Sequence, residues 1–326
     1  MHHPASSKRK EHVAVAALLL GTVFWGCGFT WAKAAGEAVQ DAAGLPRHSS
    51  FGPIFLLAWR FLLASIVWFA VFPAARRGWT RRGFAWGLLV GAVLAGALIF
   101  QHRGLDFSSE AVSAFLTSLT ILFVPLVMLL VFRQPPRPVL WLGVVLATVG
   151  VWLMTGAQPQ GFGKGEALGL ACAFMFTLYI LAVNGASRSQ SPWQMVGAQF
   201  AFVAIACFVA CAFVEGGRNN LQPSRMMHVL AVRAVWLNLA LLTVFTTLLA
   251  FGLLTFFQPR IDPTRAALTY LAEPIFATTY AAIFAGHPAN RLTLVGAALI
   301  LIANLLVELL SSPTPAQPEQ NVILVD

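Results

Sequence analysis

VAVAALLLGTVFWGCGFTWAKAA, residues 13–35, is an apolar run interrupted by a single charged residue, Lys33. A transmembrane helix needs about 20 predominantly apolar residues, and the run is too long for the apolar core of a cleaved signal peptide. It therefore predicts a first membrane-spanning helix that is retained in the protein.

The rest of the chain has the same character. Of its 326 residues, 58% are hydrophobic and 10% are charged, whereas soluble proteins contain about 45–50% apolar and about 25% charged residues. Large soluble catalytic or nucleic-acid-binding modules are therefore excluded. The net charge of +9 comes from short basic clusters between apolar runs, so the lipid bilayer, and not nucleic acid, is the expected partner. The cysteines lack CxxC spacing, and no metal, cofactor or disulfide framework is expected.

Ten apolar segments follow one another, separated by breaks that contain Arg, Gly and Pro. We predict an all-α integral membrane protein with ten transmembrane helices at about 13–35, 52–73, 83–102, 109–132, 138–156, 165–185, 192–214, 235–257, 264–285 and 291–311. Residues 1–12 are expected to form a cytoplasmic segment and residues 312–326 a disordered cytoplasmic tail. Lys and Arg are more frequent in the breaks on the side of the N-terminus, which predicts cytoplasmic termini and a multi-pass protein of the cell (inner) membrane.

The two halves of the chain resemble each other. Sliding the chain on itself by 153 residues aligns Ala97 with Ala250, Ala114 with Ala267, Phe123 with Phe276, Pro135 with Pro288 and Gly143 with Gly296. We therefore predict two repeats of five helices, residues 13–156 and 165–311. Since five is odd, the second repeat is inverted, as in secondary transporters whose substrate site lies near the midplane between the halves.

Prolines and glycines point to special helix geometry. Pro125 and Pro274 lie within the fourth helix of each half, where they predict either paired helix breaks near the site or ordinary kinks. Gly83, Gly87 and Gly91 have the GxxxG spacing of closely packed membrane helices, and we predict that role for them.

A charged residue inside a span costs about 3 kcal/mol unless it faces a cavity or a partner, and three candidates stand out. Arg60 could hold an anionic group of a solute or bind backbone carbonyls at a helix end. Glu273 could take up and release a proton during transport or serve as a protonated structural group. Lys33 lies near the outer end of the first span, where it could reach the interface.

Neutral polar and aromatic residues complete the candidate translocation pathway. Hydrogen bonds to a solute, or between helices, are expected from Gln101, Tyr179, Tyr270 and Asn304. Trp25 could line a cavity or contact lipid.

Several stretches resemble the EamA family of the drug/metabolite transporter superfamily over residues 13–310. They are WGCGFTWAK (25–33), WRFLLA (59–64), GLDFSSEAVSAFLTSLTILFVPL (104–126), DPTRAALTYLAEPIFA (262–277) and LVGAALILIANLLVEL (294–309). The resemblance implies ten helices in two repeats, and export or exchange of small metabolites, amino acids or toxic compounds. After its fourth and ninth helices the family often shows an acidic pair. This chain has Arg133-Gln134 and Gly286-His287 at those places, so a gating role of such acids is not expected here.

Other membrane functions are alternatives to a transporter. A lipid flippase or a small-molecule channel would share the fold. A membrane-embedded enzyme, with catalytic residues, is not expected, because no DxxxD or DDxxD cluster occurs and no histidine is predicted well inside a span. No P-loop is present, so a proton, another ion or a counter-substrate is the expected coupling partner of the solute.

Overall fold

The computed structural model describes residues 4–107, 110–133, 138–154, 163–284 and 291–310. Within these ranges the chain is helical and contains no strand. The helices are α1 (Pro4–Ala43), α2 (Phe51–Val71), α3 (Arg81–Leu105), α4 (Glu110–Ser118), α5 (Thr120–Leu130), α6 (Pro138–Met154), α7 (Lys164–Ala186), α8 (Pro192–Phe213), α9 (Gly217–Asn220), α10 (Pro223–Ala231), α11 (Arg233–Leu241), a π segment (Leu242–Leu249), α12 (Ala250–Phe257), α13 (Pro263–Tyr270), α14 (Glu273–Phe284) and α15 (Arg291–Leu310).

Six stretches in the described part of the chain are long and apolar enough to cross a membrane. They correspond to the first three and the sixth to eighth predicted spans: Lys10–Ala43, Phe51–Val71, Arg81–Leu105, Lys164–Ala186, Pro192–Phe213 and Arg233–Arg260. Shorter apolar helices, Leu116–Leu130, Pro138–Gly150 and Leu294–Ala303, fall within the fourth, fifth and tenth predicted spans.

The first helix is longer than the sequence predicts. α1 begins at Pro4 and ends at Ala43, so the described part of the predicted N-terminal segment, residues 4–12, forms the first turns of α1 and is not separate from it. The predicted tail, residues 312–326, lies outside the described residues.

The predicted fourth and ninth helices are each divided. Leu119 separates α4 from α5, while Leu271 and Ala272 separate α13 from α14. The repeat offset of 153 residues relates Leu119 to Ala272, so both halves are interrupted at equivalent positions. Pro274 follows its break directly. The expectation of a break at Pro125 is wrong in position, because this proline lies inside α5.

Side-chain hydroxyls explain why the first break falls before Pro125. Where a helix is interrupted, backbone carbonyls lose their amide donors and need other partners. The Thr120 hydroxyl lies 2.6 Å from the carbonyl oxygen of Thr117 and 3.2 Å from that of Ala173 on α7. Thr120 thereby supplies a donor at the break, which a purely apolar residue could not do.

The two halves pack through matching interfaces. α1 contacts α11, the π segment, α12 and α14 of the second half, while α7 contacts α3, α4 and α5 of the first half. α2 packs against α8, and α6 packs against α15. Each of these last two pairs joins a helix to its repeat equivalent. Exchanging the two repeats would therefore give a similar set of contacts between the halves.

The predicted packing role is confirmed for Gly87 and Gly91, whereas the nearest atom to a Cβ on Gly83 would be the Thr80 hydroxyl oxygen of its own helix cap, at 3.1 Å. A Cβ atom on Gly87 would lie 2.6 Å from the Ala198 Cβ, and one on Gly91 would lie 2.6 Å from the Phe202 Cβ. Real Cβ atoms do not approach so closely. α3 and α8 are thus in contact because these positions lack side chains.

Gly87→Ala should lower the thermal stability of the purified protein. The added methyl group overpacks the α3–α8 contact, at a cost of about 1–3 kcal/mol, which corresponds to a fall of several degrees in the unfolding temperature. Gly36→Ala is the matched control, because no atom lies within 4 Å of a Cβ at Gly36 on α1. Unfolding in detergent micelles measures both, and equal temperatures for the two variants would contradict the packing role.

Candidate functional site

A central cavity of about 800 Å³, its open mouth included, lies between the two halves of the chain. Its walls are formed by α1 (Trp25, Gly28, Phe29, Ala32), α2 (Arg60), α3 (Leu98, Gln101, His102, Leu105), α4 and α5 (Thr117, Ser118, Thr120), α7 (Phe176, Tyr179, Ile180), the π segment and α12 (Leu242, Thr246, Phe251, Leu254), and α13 to α14 (Ala267, Tyr270, Leu271, Glu273).

Most of the residues singled out from the sequence meet at this cavity. They are Trp25, Arg60, Gln101, Tyr179, Tyr270 and Glu273. Three others lie elsewhere. Lys33 is outside the lining, and neither Pro125 nor Pro274 belongs to it. Asn304 lies on α15, but its side chain is outside the described ones.

Arg60 supplies a positive charge to the cavity wall. Its residue is 3% exposed, and its Nε–H donates to the hydroxyl oxygen of Thr247 on the π segment. The guanidinium carbon also lies 5.2 Å from the centre of the Phe61 ring. Among the described residues, no carboxylate pairs with Arg60, so the terminal guanidinium N–H groups remain available to a bound anion.

Glu273 supplies a carboxyl group at the second helix break. It is the first residue of α14 and is 8% exposed. Within the described residues, no donor bonds its carboxyl oxygens and no basic side chain pairs with it. Gly26 of α1 packs against this turn, since a Cβ there would lie 3.0 Å from the Glu273 carbonyl oxygen. Glu273 is thus held close to α1, while its carboxyl group has no partner in the part of the chain that the structure describes.

Two glutamines orient the cavity tyrosines. The Tyr179 hydroxyl donates to Gln199 Oε1 at 2.8 Å, and Gln199 Nε2 donates to Thr255 Oγ1 at 3.0 Å. The Tyr270 hydroxyl lies 3.2 Å from Gln258 Oε1, and Gln258 Nε2 lies 2.8 Å from the Ile180 carbonyl oxygen. Because Gln199 and Gln258 are themselves buried and bonded, both rings are fixed in place.

The π segment forms part of the wall and is bound by residues of the first half. Trp25 Nε1 donates to the Thr246 carbonyl oxygen at 3.1 Å, and Arg60 bonds Thr247. The Thr246 and Thr247 hydroxyls both donate to the Leu242 carbonyl oxygen, at 2.7 and 3.1 Å. π geometry is rare in helices and occurs frequently at functional sites. Nothing in the amino-acid pattern indicated it.

His102 was missed from the sequence. His102 lies in the last turn of α3, so it does not contradict the expectation that no histidine lies well inside a span, yet it is 6% exposed and lines the cavity. It comes at the end of an apolar run, where a polar residue ordinarily marks the membrane surface. Its spacing of four residues from Leu98, another lining residue, was the available signal, because residues four apart share one face of a helix.

Two ion pairs lie near the two ends of the apolar part of α1. Glu11 Oε2 lies 2.7 Å from Arg265 Nη1 of α13, and both side chains are buried. Lys33 Nζ lies 3.3 Å from Glu110 Oε2 of α4, and this pair is partly exposed. The 22 residues from Glu11 to Lys33 span about 33 Å of helix, close to the thickness of the hydrocarbon core. The two pairs therefore stand about one membrane thickness apart.

A further ion pair lies at the C-terminal end of α3. Arg103 Nη1 is 2.7 Å from Asp106 Oδ2, and it also donates to the His48 carbonyl oxygen at 3.0 Å. Burial raises the pKa of the Asp106 carboxyl to about 6, although the Arg103 charge opposes that rise. Asp106 directly follows the lining residue Leu105 in the chain.

Sequence comparisons identify the kind of protein that carries this cavity. The model of the EamA-like transporter family matches residues 12–156 and, a second time, residues 163–309. The chain belongs to the EamA-like transporter family. This family is part of the drug/metabolite transporter superfamily. In this EamA-like transporter, the cavity lies between the two matched segments, and each segment contributes to its wall.

Similar proteins agree with this membership. An uncharacterized transporter of Archaeoglobus fulgidus is 26% identical over 304 residues, which cover 92% of this chain and 87% of its own length. A solved crystal structure superposes with a TM-score of 0.65 at 21% identity, covering 90% of this chain and 97% of the other. At that identity the superposition shows the fold alone. The family and the relative point to transport rather than to catalysis.

Proposed function

We propose that this EamA-like transporter is a secondary-active carrier that exports or exchanges small metabolites, amino acids or toxic compounds by alternating access. The observation that carries the proposal is the central cavity, which has one cationic and one acidic side chain and is lined by both repeats. Secondary transporters bind their substrates at such a position, between repeats and beside interrupted helices.

In the proposed architecture, ten transmembrane helices form two inverted repeats, residues 13–156 and 165–311. Support comes from the interchangeable contacts of α1 and α7 and from the paired breaks at Leu119 and Ala272. The basic residues outside the spans favour cytoplasmic termini in a cell (inner) membrane. The Glu11–Arg265 pair would then lie at the cytoplasmic end of the cavity, and the Lys33–Glu110 pair at the opposite end.

The proposed roles of the two charged residues follow from their surroundings. Arg60 keeps its charge in proteins and can bind an anionic group of the solute. Glu273 has no described protein donor and can accept a proton from, or release one to, the cavity. A proton or a counter-substrate would drive the cycle. Trp25, Gln101, Tyr179 and Tyr270 would contact the neutral part of the solute.

Glu273→Gln should reduce accumulation of the transported solutes outside cells about tenfold or more. The amide has the shape of the carboxyl group but cannot exchange a proton, so a transport step that needs proton uptake or release at this position is lost. The measurement compares extracellular metabolites from cells that produce the wild type, the variant or neither, at matched membrane levels.

Three results would distinguish a carrier, a protein without transport activity and a channel. A set of solutes that accumulates only with the wild type supports the carrier and gives its substrate class. Equal profiles in all three strains, followed by no saturable uptake into proteoliposomes, would reject the proposal. Non-saturable flux that follows the solute gradient would instead indicate a channel.

A further inference from the structure

His102 has a buried ring nitrogen without a protein partner. Its Nδ1 lies 3.1 Å from the Leu98 carbonyl oxygen, one turn earlier on α3. Its Nε2, at the other end of the ring, is buried and has no hydrogen-bond partner among the described residues. Buried polar atoms are nearly always bonded, and this residue lines the central cavity. The unpartnered nitrogen therefore points to a ligand.

The hydrogen bond to Leu98 determines what His102 can offer to that ligand. A carbonyl oxygen only accepts hydrogen bonds, so Nδ1 must carry the hydrogen. In the neutral ring, Nε2 then has a lone pair and acts as an acceptor. A second positive charge in the same buried region as the Arg60 guanidinium is unfavourable, which favours the neutral ring. His102 therefore needs a ligand that donates a hydrogen bond.

Arg60 offers hydrogen-bond donors for an anionic group of the same ligand. Its Nε–H is used by Thr247, while its terminal N–H groups have no described carboxylate partner. It lies close enough for its charge to act on the His102 ring. A cationic donor, Arg60, and a neutral acceptor, His102, thus both line the cavity. The rest of the wall is largely aromatic and aliphatic.

We propose, on the basis of the transporter function above, that His102 and Arg60 form a subsite for 2-hydroxycarboxylates. The carboxylate binds Arg60, and the neighbouring hydroxyl donates to His102 Nε2. A hydroxyl suits this position better than an ammonium group, because the ammonium would lie beside the Arg60 charge. An apolar substituent on the acid packs against the aromatic wall.

Three acids with one carbon skeleton test the subsite. They are 3-phenyllactate, 3-phenylpropionate and phenylalanine, which carry a hydroxyl, a hydrogen and an ammonium group at the second carbon. Calorimetric binding to the purified full-length protein in micelles should show phenyllactate binding about tenfold or more tightly than either analogue, because an analogue without the hydroxyl leaves the buried acceptor unpaired.

Variants of His102 assign that preference to its ring. His102→Leu should reduce the ratio between phenyllactate and phenylpropionate to near one and leave the phenylpropionate affinity within about threefold. His102→Gln, whose amide oxygen can accept a hydrogen bond, should retain part of the ratio, and it serves as the polar alternative if the leucine variant does not fold. Trp59→Phe is the matched control. Trp59 Nε1 is also buried without a described partner, but Trp59 does not line the cavity.

Five outcomes would overturn the subsite, of which four concern the relative affinities of the acids. These four are a ratio near one in the wild type, a ratio that persists in His102→Leu, a ratio lost equally in Trp59→Phe, and tightest binding of phenylalanine. Absence of binding by all three acids would also overturn it, since a carboxylate with an adjacent hydroxyl is the minimum that the geometry requires. The carrier function is judged separately by the metabolite comparison, so the two proposals can fail independently.

Discussion

Arg60→Ala should lower saturable solute flux at least about 30-fold while the protein still inserts into the membrane. Truncating one partner of a buried, hydrogen-bonded charge pair costs about 2–5 kcal/mol, and each 1.4 kcal/mol corresponds to a factor of ten. The variant also loses the bond from Nε to Thr247. Flux into proteoliposomes that contain equal amounts of folded protein measures the effect, with the solutes found in the metabolite comparison as substrates.

Three further variants separate the charge of Arg60 from its structural bond. Arg60→Lys keeps the charge but lacks the planar fork, so it should recover part of the flux. Thr247→Val removes the acceptor of Nε and leaves the charge in place, and a smaller loss is expected. Arg82→Ala is the matched control, because Arg82 is exposed at the start of α3. If Thr247→Val lost as much flux as Arg60→Ala, the role of Arg60 would be structural.

The cost of burying charge made part of the site predictable. Few ionisable residues lie inside the apolar runs, and a charge there requires a cavity or a partner. That reasoning found Arg60 and Glu273, which both line the cavity. It also drew attention to Lys33, whose partner is Glu110. Lys33 lies near the end of its run, where the Glu110 carboxylate on α4 is within reach.

The parts that could not be predicted depend on distant contacts. The glutamines that hold Tyr179 and Tyr270 stand on other helices, and nothing local distinguishes them from other polar residues in spans. The break at Leu119 contains no proline that would mark it in the sequence. There the Thr120 hydroxyl donates a hydrogen bond to the Thr117 carbonyl oxygen. Helix length and apolar character follow from local composition, whereas these pairings appear only when the helices are packed.

Arg265→Ala should lower the unfolding temperature by roughly 10 °C. Glu11 and Arg265 are buried and 2.7 Å apart, and removing one partner of a buried ion pair leaves an uncompensated charge at a cost of about 3–5 kcal/mol. At roughly 2–4 °C for each kcal/mol in a chain of this size, the shift is large. The measurement is thermal unfolding of the purified protein in micelles.

Lys33→Ala is the matched comparison, because the Lys33–Glu110 pair links the same helix, α1, to α4 at the other end of the cavity. That pair is partly exposed, and exposed pairs contribute about 0–1 kcal/mol, so a shift below about 3 °C is expected. A double-mutant cycle with Glu11→Ala and Arg265→Ala isolates the coupling, since Arg265 makes other contacts as well. If the double variant were as destabilised as the sum of the two single variants, the link between α1 and α13 would not depend on this pair.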